Sequence, residues 1–218
     1  YWNRDADTLN ALTDERVSSH HECYQHHLQA NEDLLKESGH YLSGMLHYGG
    51  EWYWGLDRLE HLEQRLNVLD EIPSSSAIVK YELGHSNFCG SSIDAVKQSN
   101  AIVIYWSARS PYSYLGLIRA QQLADHYQLP LEVKPVLPMV MRRMQVPKTK
   151  GSYITQDTKR EAKKYGIDFG FIADPLGSGV ERCYSLFELA KTAGKEVDFL
   201  NSFAKGVWSE GIRSDTDE

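Results

Sequence analysis

Apolar residues recur at helical intervals through the first 37 residues, at Leu9, Leu12 and Val17 and then at Tyr24, Leu28, Leu34 and Leu35. That spacing predicts one or two amphipathic helices in an otherwise polar stretch. The period then changes. Met45 to Tyr48 and Trp52 to Trp54 are short β-prone runs separated by Gly49-Gly50-Glu51, which predicts a hairpin. Leu59, Leu62, Leu66 and Leu69 return to helical spacing, with Arg58, Glu60, Glu63 and Arg65 outside the apolar face, so a helix is expected over about 56–68. Residues 73–100 turn to Ser, Gly and mixed polar side chains and read as a linker. A buried strand is expected at Ala101 to Ser107, a helix from Pro111 to about Tyr127, and a second strand within LPLEVKPVLP. Two strands joined by a helical crossover form a parallel βαβ unit. Three more helices follow, in TQDTKREAKKYG, VERCYSLFELAKTAG and EVDFLNSFAKGVW.

Composition narrows the partners. The 218 residues are 41% hydrophobic, enough for a sizeable core, and the formal charge is -7. An acidic chain of this kind does not suit nucleic acid or an anionic membrane surface, so small molecules or proteins are the expected partners. No apolar run approaches the roughly 20 residues that span a bilayer. Cys23, Cys89 and Cys183 lie far apart with no Cys-x-x-Cys, which indicates neither a disulfide framework nor a local redox pair. This usage is compatible with a reducing compartment, and a cytoplasmic location is the expectation. The chain starts at Tyr1 and is read as a fragment.

Chemistry is concentrated at one turn. In SARSPYSYLG, Ser110 stands at an N-cap position and Pro111 at the first helical position, a strong helix start. The same geometry presents free backbone N–H groups and the positive end of a helix dipole to an anion, so capping and anion binding are both open readings. Other signals are weaker. His20, Cys23 and His27 share a helical face with metal-ligand types but have no fourth partner, and a polar face explains them better; His85 with Cys89 fares no better. No metal site is expected. DPLGSG lacks the Lys-Ser/Thr of a phosphate loop, and Cys183 is expected to be a small buried residue.

Four stretches in order, IVIYWSARSPYSYLGL, VKPVLPMVMRRMQVPKTKGSYITQDTKREAKKYGI, DPLGSGVERCYSLFELA and GVWSEG, resemble the first part of a 2-hydroxychromene-2-carboxylate isomerase or kappa-class glutathione transferase. Those families belong to the DsbA-like thioredoxin superfamily, so the resemblance implies an α/β fold: a thioredoxin-like βαβ unit with an inserted helical domain. GEWYWGLDRLEHLEQRL, with its Gly-x-x-x-Trp-Gly-x-Asp-Arg-Leu pattern, resembles the final hairpin and helix of such a domain, yet stands before the βαβ unit. A tandem protein is therefore expected, with residues 1–72 closing a first domain, 73–97 linking, and 98–218 opening a second. Alternatively, the hairpin could pair beside the Ala101 strand and complete a permuted sheet.

At the position where thioredoxin-type enzymes carry Cys-Pro-x-Cys, this chain reads Ser110-Pro111-Tyr112-Ser113. In the resembling families the thiolate comes from glutathione and the serine hydroxyl hydrogen-bonds its sulfur. The resemblance thus implies glutathione as cofactor, Ser110 as catalytic residue, and Ser110, Pro111, Tyr112, Lys150, Tyr153 and Asp157 as its binding residues. The implied substrate is a small aromatic or electrophilic molecule, and a homodimer is compatible with the resemblance. Lys150 also reads as an ordinary loop lysine. An Asn that many members place after the second strand is replaced by Val136-Leu137-Pro138-Met139-Val140, and neither Ser43 nor Gly44 supplies the family's cis-proline. These departures favour a second reading, a redox-inactive relative of the DsbA oxidoreductases acting as a binding module.

Overall fold

The structure, a computed structural model, describes residues 21–71, 73, 79 and 100–217. It falls into two compact units, residues 1–43 and 44–218. In the first, helix α1 (His21–Glu37) is braced along its surface by Gln29 donating to Asp33 at 3.0 Å and by the Asp33–Lys36 pair. It stops at Gly39, whose positive φ lets His40 N–H return to the Leu35 carbonyl. Tyr24, Leu28 and Leu34 are exposed along it. His20, His85 and Cys89 lie outside the described residues, as does the Cys23 side chain.

The second unit begins with the predicted hairpin, β1 (Met45–Tyr48) antiparallel to β2 (Glu51–Trp54). Tyr48 pairs with Glu51, so the loop is Gly49-Gly50 alone and Glu51 belongs to the strand, one residue earlier than expected. Both glycines have positive φ, as a two-residue turn that follows strand twist requires. A 3-10 turn (Leu56–Arg58) leads into α2 (Leu59–Leu69).

The orientation of α2 differs from the sequence expectation. Glu60 and His61 are its buried residues, whereas Val68 is 67% exposed. The helix docks through its polar flank because its neighbour offers matching charge. That neighbour is α4 (Lys148–Lys164), where Lys164 lies 2.5 Å from Glu60 and Glu161 lies 2.7 Å from His61 Nε2.

Strand β3 (Ile102–Trp106), helix α3 (Pro111–Tyr127) and strand β4 (Leu131–Pro135) form the expected parallel unit, in register from Ile102 opposite Leu131 to Trp106 opposite Pro135. Helices α4, α5 (Ser178–Thr192) and α6 (Glu196–Ser209) complete it. Helix α4 starts seven residues before the Thr155 boundary read from sequence, directly after Pro147, and takes Gly151 into its first turn. Lys150 is therefore helical. Alternation along β3 sends Trp106 inward and leaves Tyr105 66% exposed. Trp106, Leu117, Val133, Ala162, Val180, Cys183, Phe187, Leu200 and Val207 join both strands and the four helices α3 to α6 into one core.

The hairpin does not pair with β3; each forms its own two-stranded sheet, which removes the permuted-sheet alternative. The reason is visible at α4. Arg160 donates to the Trp52 carbonyl at 2.8 Å and to Glu51 at 3.0 Å, and its guanidinium lies 4.3 Å from the centroid of the buried Tyr53 ring. A helix thus covers the hairpin where the alternative reading put a strand.

Leu200, fully buried on α6, should lose about 2–5 kcal/mol of stability as Leu200→Ala. Leu189→Ala on α5, where the side chain is 70% exposed, should stay within about 0.5 kcal/mol. Urea unfolding monitored by tryptophan fluorescence distinguishes the two.

Candidate functional site

The loop after β3 and the loop after β4 leave the core side by side, and Tyr184 of α5 joins them. Its hydroxyl accepts from the Ala108 N–H at 3.0 Å and donates to the Val136 carbonyl at 2.7 Å. Between and beside these loops opens a cleft of about 360 Å³. One wall is the turn from Ser107 to Ser113; facing it are Leu137, Pro138 and Met139 after β4 and Lys150 and Ile154 of α4, with Trp208 also lining the space. Arg109, on the turn, is fixed by a two-pronged bond to Asp174, Nε to Oδ1 at 2.8 Å and Nη2 to Oδ2 at 2.7 Å. Arg142 and Lys150 bring further positive charge to the lining.

The turn is organised as the sequence predicts. Ser110 is the N-cap of α3, its Oγ accepting from the Ser113 N–H at 3.2 Å, with Pro111 as the first helical residue. Ser113 Oγ accepts the Ser107 N–H at 3.2 Å and so braces the turn. Accepting the cap bond uses a lone pair of Ser110 and leaves its O–H as a donor. Pro111 has no N–H, and the N–H groups of Ser113 and Tyr114 both return to the Ser110 carbonyl. Among the described residues, Tyr112 therefore carries the open backbone donor of the first turn.

Of the six residues expected at the site, Ser110, Pro111, Tyr112 and Lys150 line the cleft. Tyr153 and Asp157 lie beneath it. Tyr153 is buried, and Asp157 is fully buried and receives four hydrogen bonds: Arg58 Nε at 2.8 Å and Nη2 at 2.9 Å, Tyr112 Oη at 2.5 Å, and Tyr153 Oη at 3.3 Å. Burial by itself would raise this carboxyl, but the bonds from Arg58 and Tyr112 outweigh that and hold it below the ordinary aspartate range. Burial, followed by the bond to Asp157, pushes the Tyr112 phenol up, so it stays a donor. Glu161, whose burial is offset by His61 and by the Arg58 charge, is also held low. Arg58 is the residue the helical spacing set outside the apolar face of α2; its signal was the Trp-Gly-x-Asp-Arg-Leu motif, taken there only as a mark of resemblance.

Cys183 packs in the core, where burial drives its thiol up to about 12, so it supplies no nucleophile. Among the described residues no group of three or more His, Cys, Asp or Glu side chains could hold a metal, and no helix is long and apolar enough to cross a membrane.

A parallel βαβ unit whose helix starts at a Ser-Pro-Tyr-Ser turn, followed by a run of helices, defines a thioredoxin-like protein. The DSBA-like thioredoxin domain model matches residues 101–218, more than half of the chain, and the protein belongs to that thiol-related family. No curated protein and no solved structure matches it.

Because the carboxyl of Asp157 is lower in the folded than in the unfolded chain, its contribution is fully present above the unfolded value of about 3.9 and is lost as pH falls through the folded one. Asp157→Asn should cost about 3–5 kcal/mol at neutral pH, since it removes the buried charge partner of Arg58 and leaves only the longer contact to Glu161 at 3.7 Å. The gap between the two proteins in urea unfolding should narrow as pH is lowered below 4, roughly the unfolded carboxyl value.

Proposed function

We propose that this protein binds glutathione in the Ser110 cleft and uses its thiolate in isomerase or transferase chemistry of the 2-hydroxychromene-2-carboxylate isomerase and kappa-class kind, on a small aromatic or electrophilic substrate. The observation that carries this is the joint presence, on one cleft, of the Ser110 hydroxyl, the open Tyr112 N–H at the start of a 17-residue helix, and the cations Arg142 and Lys150. The volume of about 360 Å³ lies within the range of roughly 300–1,000 Å³ found for small-molecule sites.

The donor set fits a thiol peptide. Ser110 Oγ–H and Tyr112 N–H would meet the sulfur, where the helix dipole favours negative charge. Lys150 and Arg142 would meet carboxylates, and the apolar run Leu137-Pro138-Met139 offers packing surface where related proteins place an Asn. When bound, glutathione would supply a nucleophilic sulfur whose reversible addition turns a substrate double bond into a rotatable single bond, the double bond re-forming as the thiolate is expelled. The protein's share is to keep the thiol ionised at rest. A charge-assisted hydrogen bond from Ser110 contributes roughly 1.5–3 kcal/mol, which is about one to two pKa units. Dithiol exchange at this turn is disfavoured by composition, since Ser113 cannot resolve a mixed disulfide.

Calorimetric titration with glutathione, followed by a pH series of the bound thiolate absorbance, tests the reading. The unsubstituted protein should ionise the bound thiol at least one pKa unit below free glutathione, and Ser110→Ala should abolish about a tenfold advantage in thiolate fraction, the equivalent of one unit. Absence of binding, or a bound thiol that Ser110→Ala leaves unchanged, refutes it.

A further inference from the structure

The fully buried Asp157 touches two segments that the sequence reading puts in different domains. On one side is Arg58, held by a two-pronged bond at 2.8 and 2.9 Å from 99 residues earlier in the chain. On the other is Tyr112, whose hydroxyl is 2.5 Å from Asp157 Oδ2 and whose backbone N–H is the open donor of the α3 first turn. A carboxylate shut away from water holds a phenol most tightly while it is ionised, and a buried carboxylate stays ionised only beside a compensating charge. The other groups around Arg58 do not replace it. His61 faces Glu161 at 2.7 Å, Glu161 lies 3.7 Å from Arg58 Nη1, and Tyr153 is a neutral donor to the other Asp157 oxygen.

We propose that Arg58 is a positioning residue of the Ser110 cleft: by fixing Asp157 it anchors the Tyr112 side chain, and with it the Tyr112 N–H at the mouth of α3. The 44–71 segment is then part of the working site of the 101–218 domain. The inference deepens the glutathione reading and rests on it for the identity of the anion that this N–H meets.

The experiment uses the full chain in two arms. In the first, without ligand, amide hydrogen exchange is followed by NMR at Ser113, Tyr114 and Leu115. Arg58→Met and Tyr112→Phe should each speed local exchange by about tenfold, the equivalent of one pKa unit in free energy. Their combination should add little, and Arg58→Lys, which keeps charge but not the fork, should fall between. In the second arm, the pKa of bound glutathione thiol should rise in Arg58→Met and Tyr112→Phe alike, again without adding in the double variant. Exchange at these amides that is unchanged in Arg58→Met, or effects of the two substitutions that simply add, overturns the proposal. If Arg58→Met does not fold, Arg58→Lys with Tyr112→Phe carries the same comparison. A protein that binds no glutathione refutes the functional reading alone, and the exchange arm then decides the positioning role by itself.

Discussion

The Asp157 carboxylate is the constraint on which the second unit turns. A buried charge of this kind is costly unless every lone pair is met, and here each oxygen receives a guanidinium N–H and a phenol O–H. Meeting that demand joins three elements: the 3-10 turn before α2, the first turn of α3 and the middle of α4. The surrounding pairs, Lys164 with Glu60, His61 with Glu161 and Arg160 with Glu51, extend the same logic along one face of α4. Polar docking of this sort fixes register more sharply than apolar packing would, because a shift of one helical turn leaves several charges unpaired at once.

The cleft, by contrast, is made by the core. Trp106 at the end of β3 and Val133 in the middle of β4 are buried in that core, and the loops after Trp106 and Pro135 emerge only one strand spacing apart. Tyr184 ties the loops together, and α4 closes one side. The cleft lies at the carboxyl ends of parallel strands, where a helix N-terminus and two loop mouths converge, the usual address for a site in an α/β arrangement.

Much of this was legible in the residues, for identifiable reasons. Alternation and turn chemistry mark the hairpin, and a Ser-Pro pair after an apolar strand marks the start of α3 to the residue. The start of α4 was missed because Lys148-Thr149-Lys150-Gly151 looks like loop, whereas Pro147 sets the boundary. The inward face of α2 was misread because hydrophobic periodicity assumes that apolar residues face the core. Here Glu60 and His61 face it, since their partners lie about a hundred residues away in α4 and no local pattern records them. For the same reason Asp157 reads as a ligand-binding residue in sequence and stands, in space, one layer behind the cleft.

The separation of 99 residues between Arg58 and Asp157 has a consequence for how this protein can vary. Closing a loop of that size carries an entropy that grows only with the logarithm of its length, so doubling it would add about 0.6 kcal/mol. That is less than the value of a single charged hydrogen bond, roughly 1.5–3 kcal/mol. On closure entropy alone, a longer separation between Arg58 and Asp157 would therefore cost little. The complementary faces of α2 and α4 cannot change as cheaply, because a loss on either side strands a buried charge on the other. Sequence drift should be resisted at the joint.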